Sequence, residues 1–233
     1  MSLLHGDDFY GVTSLGNTEY TFAYLFRNSY NGKSYPIVSA EHLILPATTL
    51  ATSCYAFIFS GCTSLTTAPE LPATTLANNC YEGMFTRCTS LTTAPELPAT
   101  TLASYCYNYM FNGCTRLTTA PVLSATTLAN DCYQGMFSGC TSLTTAPELP
   151  ATTLSNECYQ NMFQNCSNLN YIKAMFTTTP STSYTRNWVN GVAASGTFVK
   201  NSAATWNVSG TNGIPTGWTV ETAEPEPSDE ITI

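Results

Sequence analysis

Apolar residues recur along the chain with a period of 26 residues. In the unit 71–96 they include Cys80, Tyr81, Met84, Phe85 and Cys88, which stand at i, i+1, i+4, i+5 and i+8. On an α-helix these positions cover an arc of about 140°, which is typical of an amphipathic segment. The pattern therefore predicts a short helix of about two turns in each unit. The five units are 45–70, 71–96, 97–122, 123–148 and 149–174, and the first four match closely throughout.

The residue before the second cysteine of each unit indicates where this helix ends. Glycine or asparagine stands there in four of the five units, and both residues tolerate the left-handed conformation that terminates helices. The five residues are Gly61, Arg87, Gly113, Gly139 and Asn165. A helix stop is therefore expected in all units but the second.

A Thr- and Pro-rich stretch follows each predicted helix. Because proline cannot donate to a β-ladder, we expect only three or four strand residues, around Leu91–Ala94 in the second unit. One short strand and one short helix cannot bury their apolar faces alone, whereas stacked units can. The sequence predicts an α/β solenoid of leucine-rich-repeat type with a parallel sheet on one side.

The repeat pattern also divides the chain. Residues 15–44 resemble a degenerate N-terminal capping repeat, because "YTFAYLFRN" echoes "CYEGMF". After the five repeats of 45–174, the pattern ends and residues 175–222 are expected to form a C-terminal capping module, since end units of repeat arrays are atypical. Residues 1–14 are assigned to an N-terminal segment and 223–233 to an acidic flexible tail.

Charge and hydropathy exclude two classes of partner. Only 9% of residues are charged, the net charge is −8, and the seven basic residues are scattered, so a nucleic-acid interface is not expected. No run of eighteen apolar residues exists, so no membrane span is expected. The start "MSLLHGDDFYG" has neither the basic region nor the apolar core of a signal peptide.

The repeats resemble those of a known family. "MFTRCTSLTT" and "MFSGCTSLTT" are similar to the core motif of BspA-like leucine-rich-repeat proteins, which are surface or secreted proteins of gut and oral anaerobes and some protozoa. The resemblance implies an extracellular or cell-surface location and adhesion to a host protein or glycan. The Pro-rich "APELPA" departs from the family pattern. Residues that match the core phenylalanine are Phe59, Phe85, Phe111, Phe137 and Phe163, and those that match the core cysteine are Cys62, Cys88, Cys114, Cys140 and Cys166.

Ten cysteines, spaced alternately 8 and 18 residues apart, form two sets of five. An even number is compatible with disulfides, but eight helical residues separate a pair by about 12 Å, beyond the ~7 Å limit for a bridge. Five members along each set leave one unpaired. Two columns of buried thiols are therefore expected. No metal site or cofactor is expected, because no C-x-x-C motif exists and His5 and His42 lie outside the cysteine units. The remaining cysteines are Cys54, Cys80, Cys106, Cys132 and Cys158.

Three sets of residues are candidates for a binding surface. The first is a carboxylate row at one repeat position, which could bind a cation or supply a pair for glycoside hydrolysis, although glutamates duplicated with the repeat can simply solvate a strand end. The second is a threonine row, which could match a regular ligand or merely satisfy an exposed strand. The carboxylate row is Glu70, Glu96 and Glu148, with Val122 interrupting it, and the threonine row is Thr67, Thr93, Thr119 and Thr145.

The third set lies in the unit that differs most from its neighbours. It adds Tyr105 and Tyr109, and places Arg116 and Val122 where other units have Ser and Glu. Tyrosine and arginine are enriched at interaction hot spots, but drift within a repeat array is the favoured explanation of the differences.

No motif for nucleophilic, phosphate-binding or dinucleotide chemistry stands out, and identical repeats do not supply the unlike environments that an acid–base pair needs. The sequence thus predicts a non-enzymatic module that binds an unknown macromolecule. Alternatives are a structural or receptor-binding element of a phage-type fibre, a spacer in a larger surface protein, or a hydrolase with an unlike acid pair.

Overall fold

A computed structural model describes residues 12–28 and 36–223. Most of the predicted N-terminal segment 1–14 and of the acidic tail 223–233 lies outside the described residues. The described chain contains three strands, β1 (Tyr171–Ala174), β2 (Thr197–Asn201) and β3 (Thr219–Ala223). They form a parallel sheet in the order β1-β2-β3, in which Phe198 of β2 pairs with Ile172 and Val220 on either side.

The helix predicted in each repeat is wrong, because no α-helix occurs within 12–28 or 36–223. The apolar segment is instead a chain of overlapping turns, which we call the turn ribbon. In the second repeat the N–H groups of Cys80, Glu82, Met84, Thr86 and Cys88 each donate to the carbonyl three residues earlier. The turn ribbon comprises residues 53–62, 79–88, 105–114, 131–140 and 157–166.

Left-handed backbone at every fourth residue prevents a helix from forming. In the second repeat φ is +57° at Asn79, +56° at Gly83 and +59° at Arg87. The left-handed conformation predicted before the second cysteine is therefore present, but it belongs to a repeated turn and does not end a helix. Because it recurs with a period of four, two of every four residues face the interior: Cys80 and Tyr81, then Met84 and Phe85.

The remaining N–H groups of the turn ribbon join one repeat to the next. Those of Tyr81, Gly83 and Phe85 donate to carbonyls of the third repeat 25 residues later, over 2.8–3.0 Å. Alternate residues thus bond within and between repeats, which satisfies the backbone without a helix. The same alternation holds in all five repeats, and in the N-terminal residues 15–44 the Phe22 N–H donates to the Cys54 carbonyl.

The strand predicted in each repeat is reduced to isolated parallel bridges. Ser39 pairs with Thr67, Thr93 with Thr119, and Thr145 with Tyr171 at the start of β1. A proline stands two residues after each of Thr67, Thr93 and Thr145 and removes a donor that a longer ladder would need. Among the described residues, continuous strands occur only after residue 170, where the Pro-rich phrase is absent.

Identical side chains from successive repeats stack in the core. Phe111 lies between Phe85 and Phe137, with ring centroids 5.6 and 5.7 Å apart and ring planes within 9° of parallel. A second column of tyrosines, 5.7–6.0 Å apart, runs beside it. Offset parallel rings at this spacing are a favourable aromatic geometry. The tyrosines are Tyr55, Tyr81, Tyr107, Tyr133 and Tyr159.

Both columns end at Trp188, which is fully buried. Its ring is tilted by 30° to Tyr159 and by 50° to Phe163, so the parallel stacking of these two columns stops there. The indole donates to the Gly213 carbonyl at 2.9 Å. In earlier repeats, the N–H group equivalent to that of Asn187 donates to the next repeat. The Asn187 N–H donates instead to the side chain of Asn212. Residues after 175 thereby take the place of a further repeat as hydrogen-bond partners.

Among the described residues, no helix has the length and apolar character needed to cross a membrane.

Candidate functional site

The ten cysteines belong to the interior. All are buried and free. In the second cysteine of each repeat the thiol donates to a phenylalanine carbonyl of the preceding unit; Cys114, for example, lies 3.1 Å from the Phe85 oxygen. Burial raises the pKa of Cys106 from an ordinary 9.0 to about 12. Since the thiolate is the reactive form, these groups are poor nucleophiles and poor metal ligands at neutral pH.

Within residues 12–28 and 36–223, no group of three or more His, Cys, Asp or Glu side chains is placed to hold a metal ion. His42 is largely exposed and lies 3.3 Å from the neighbouring Glu41. His5 lies outside the described residues.

The threonine row lies on the exterior. Thr67, Thr93, Thr119 and Thr145 are all exposed, and their backbone takes part in the bridges between repeats. The hydroxyl of the preceding threonine can bond to the neighbouring repeat, as Thr118 does to the Thr92 carbonyl at 3.2 Å. Both threonines of each pair are nevertheless exposed.

The carboxylate row lies beside prolines. Glu70 and Glu96 are exposed and line one shallow groove of about 360 Å³, which we call the Pro–Glu groove. The rest of its lining is apolar and comes from the two copies of the "APELP" phrase. These lining residues are Ala68, Pro69, Leu71, Pro72, Pro95 and Pro98. The groove therefore combines two carboxylates with an apolar wall.

The row changes character further along. Val122 replaces the glutamate in the third repeat and is 65% exposed. Glu148 in the fourth repeat pairs with Lys173 of β1, whose Nζ lies 2.9 Å from Oε1. Neither Glu70 nor Glu96 makes an ion pair with another residue in the described part of the chain. The two groove carboxylates differ in this respect from Glu148.

The distinctive residues of the third repeat lie on separate segments. Tyr109 packs on the next repeat: a Cβ built on Gly135 would lie 2.2 Å from its ring. Tyr105 is exposed and hydrogen-bonds to Asp131, whose charge raises the tyrosine pKa. Arg116 and Val122 are exposed beyond the turn ribbon. The structure thus gives Tyr109 a packing role and leaves the other three on the surface.

A polar stripe along the turn ribbon was not expected from the sequence. Asp131 is buried, and burial raises the pKa of its carboxyl; the hydrogen bond from Tyr105 opposes the shift, and the charge of Glu157 adds to it. Arg186 bonds to Gln160 at 2.8 Å and lies 3.8 Å from Glu157. The sequence signal for these polar contacts is that equivalent positions of the repeats carry different residues here. These contacts join the fourth and fifth repeats to the residues that follow.

The apolar wall of the Pro–Glu groove was also missed. The sequence pattern predicts that the prolines interrupt the strand and form the corners after it, but predicts neither the wall nor the pairing of Lys173 with the glutamate row. Their association follows from parallel stacking, which puts residues 26 positions apart side by side.

No protein-family model, curated protein or solved structure matches the chain.

Proposed function

We propose that the chain is a non-enzymatic binding module built as a leucine-rich-repeat-like solenoid of the BspA-like type. Its role is to hold a protein or glycan partner on the exterior of the stacked repeats, at a cell surface or outside the cell. The proposal extends the resemblance of the "MF-x-x-C-x-S-L-T" segments to an adhesion function.

The observation that carries the proposal is the division between interior and exterior. The repeated chemistry-bearing groups, ten thiols and five tyrosines, are buried in the core. The side chains that vary between nearly identical repeats, such as Tyr105, Arg116 and Val122, are exposed. A rigid interior with a varied exterior is the arrangement by which repeat proteins present extended binding surfaces.

The raised pKa of the buried thiols supports a binding function over nucleophilic catalysis. Burial raises the pKa of Cys114 and Cys166 to about 12, so at neutral pH each is almost wholly protonated. The interior groups stabilise the stack, and interaction with a partner is left to the surface.

An array of extracellular-matrix proteins, cell-surface proteins and glycans tests the proposal. The purified chain, labelled at its amino groups, should bind one or a few members reversibly and in proportion to concentration. The control is the same chain, unfolded at alkaline pH and applied in buffer before it refolds. This unfolded chain should not bind the same members. A native chain that binds no member of the array would contradict the proposal and would favour a spacer or fibre element.

A further inference from the structure

The Pro–Glu groove has two carboxylates and no basic side chain in its lining. Glu70 and Glu96 stand at the same position of adjacent repeats, beside Pro69 and Pro95. In the same two repeats the stacked rings of Phe59 and Phe85 have centroids 5.6 Å apart. The two carboxylates therefore lie side by side at the rim of an apolar depression.

This spacing fits one cationic group between the two carboxylates. A charge-assisted hydrogen bond from an ammonium or guanidinium to a carboxylate oxygen is about 2.7–2.9 Å long. One cationic head can therefore bridge two carboxylates that line the same groove. The aliphatic stem of lysine or arginine would lie on the proline rings, because such stems bury along apolar surfaces while the charged head stays at the rim.

The same row already holds an ammonium further along the chain. Lys173 comes from the unit after Glu148 and its Nζ is 2.9 Å from the carboxylate. The lysine is only partly exposed, with 28% of its side-chain surface accessible. This pair demonstrates that a lysine head can approach a glutamate of this row while its stem lies against the repeat surface.

We propose that the Pro–Glu groove binds a lysine or arginine side chain of a basic protein segment, with the cationic head between Glu70 and Glu96. The inference rests on the proposed binding function and names the chemical class of the partner. The net charge of −8 would also attract a basic segment during association. The exposed Val122 interrupts the carboxylate row after Glu96. The basic segment is therefore expected to contact the first two repeats.

Fluorescence anisotropy with a fluorescein-labelled peptide of alternating lysine and alanine tests this assignment. Glu96→Gln should weaken binding about tenfold, because it removes one charge-assisted contact. Glu148→Gln is the matched control: it makes the same charge change in the same row, at a glutamate that Lys173 already pairs. This control should bind the peptide within about twofold of the original chain.

A peptide with every lysine acetylated should not bind, since acetylation removes the charge and keeps the length. Val122→Glu should tighten binding of the lysine peptide by extending the carboxylate row. Equal weakening by Glu96→Gln and Glu148→Gln would overturn the assignment in favour of diffuse attraction to an acidic protein. Failure of the original chain to bind the peptide would also overturn it.

The outcome is separable from that of the array experiment. If the array identifies a partner whose affinity is unchanged in the Glu70→Gln/Glu96→Gln variant, the groove assignment fails and the binding function stands. If the array yields no partner, the binding function itself fails. The thermal unfolding of each variant confirms that these exposed substitutions leave the fold intact.

Discussion

The interior and the exterior of the repeats obey different rules. Inside, Phe85, Phe111 and Phe137 occupy the same position and stack on one another with nearly parallel rings. Outside, the equivalent positions Glu96, Val122 and Glu148 carry a valine in place of one glutamate, and only Glu148 pairs with Lys173. A stacked core requires each repeat to match its neighbours, whereas an exposed row has no such requirement. The difference locates stability in the columns and recognition at the surface.

Alkaline pH should have the largest effect of these tests, because it acts on the buried thiols of the interior. The thiols ionise near pH 9.0 when unfolded, but burial raises the pKa of Cys54, Cys106 and Cys158 to about 12. Below pH 9 both states keep their protons, so these groups leave stability independent of pH. Above pH 9 only the unfolded state releases them, and stability falls by up to about 1.4 kcal/mol per pH unit for each thiol.

Because ten thiols act together, the slope is on the order of 10 kcal/mol per pH unit, comparable to the whole stability of a domain. We expect cooperative unfolding about one pH unit above the pKa of the thiols in the unfolded state. Tryptophan fluorescence monitors this unfolding, since Trp188 is buried. Denaturant unfolding at a series of pH values measures the slope. Unchanged stability between pH 9 and 11 would show that the thiols are not protonated in the interior.

A cavity in the phenylalanine column should have the next largest effect. Phe111→Ala removes a fully buried ring with neighbours on both sides, and we expect a loss of about 3–5 kcal/mol in the free energy of unfolding. Val122→Ala in the same repeat is the exterior control and should change stability by less than about 0.5 kcal/mol. Urea denaturation measures both. Similar losses for the two variants would remove the distinction between interior and exterior.

The contact between Tyr109 and Gly135 tests where the packed interior ends and the exterior begins. Gly135→Ala places a methyl group against the tyrosine ring at a residue with φ of +59°, so we expect a loss of about 1–2 kcal/mol from the backbone alone and more from the ring. In a Tyr109→Ala background only the backbone cost should remain. A double-mutant cycle measures this coupling. Additive losses would show that Tyr109 is a free surface residue after all.

The period and the buried positions were predictable from the sequence, whereas the backbone path was not. Cys80, Tyr81, Met84, Phe85 and Cys88 fit one face of a helix and equally fit a ribbon with a period of four. The deciding information was the left-handed tendency at residues spaced by four, such as Asn79 and Gly83. At Tyr105 and Tyr109 even that signal is absent, because tyrosine does not favour a positive φ.

The candidate residues were predictable individually but not as a site. Glu70 and Glu96 were recognised as a row from their repeat position. The apolar wall that makes the row a groove depends on where the prolines lie after the chain has stacked. The role of Lys173 depends on β1 continuing the row of paired threonines, and no local pattern encodes that contact.

Thiol accessibility tests most directly whether the repeats form one sealed interior. The native chain is treated with a thiol-alkylating reagent without reductant, and a second sample is treated in denaturant, also without reductant. Intact mass then counts the labels in each sample. We expect no label on the native chain and ten on the denatured chain, in agreement with ten buried free cysteines. Any label on the native chain, or fewer than ten labels after denaturation, would contradict the stacked interior.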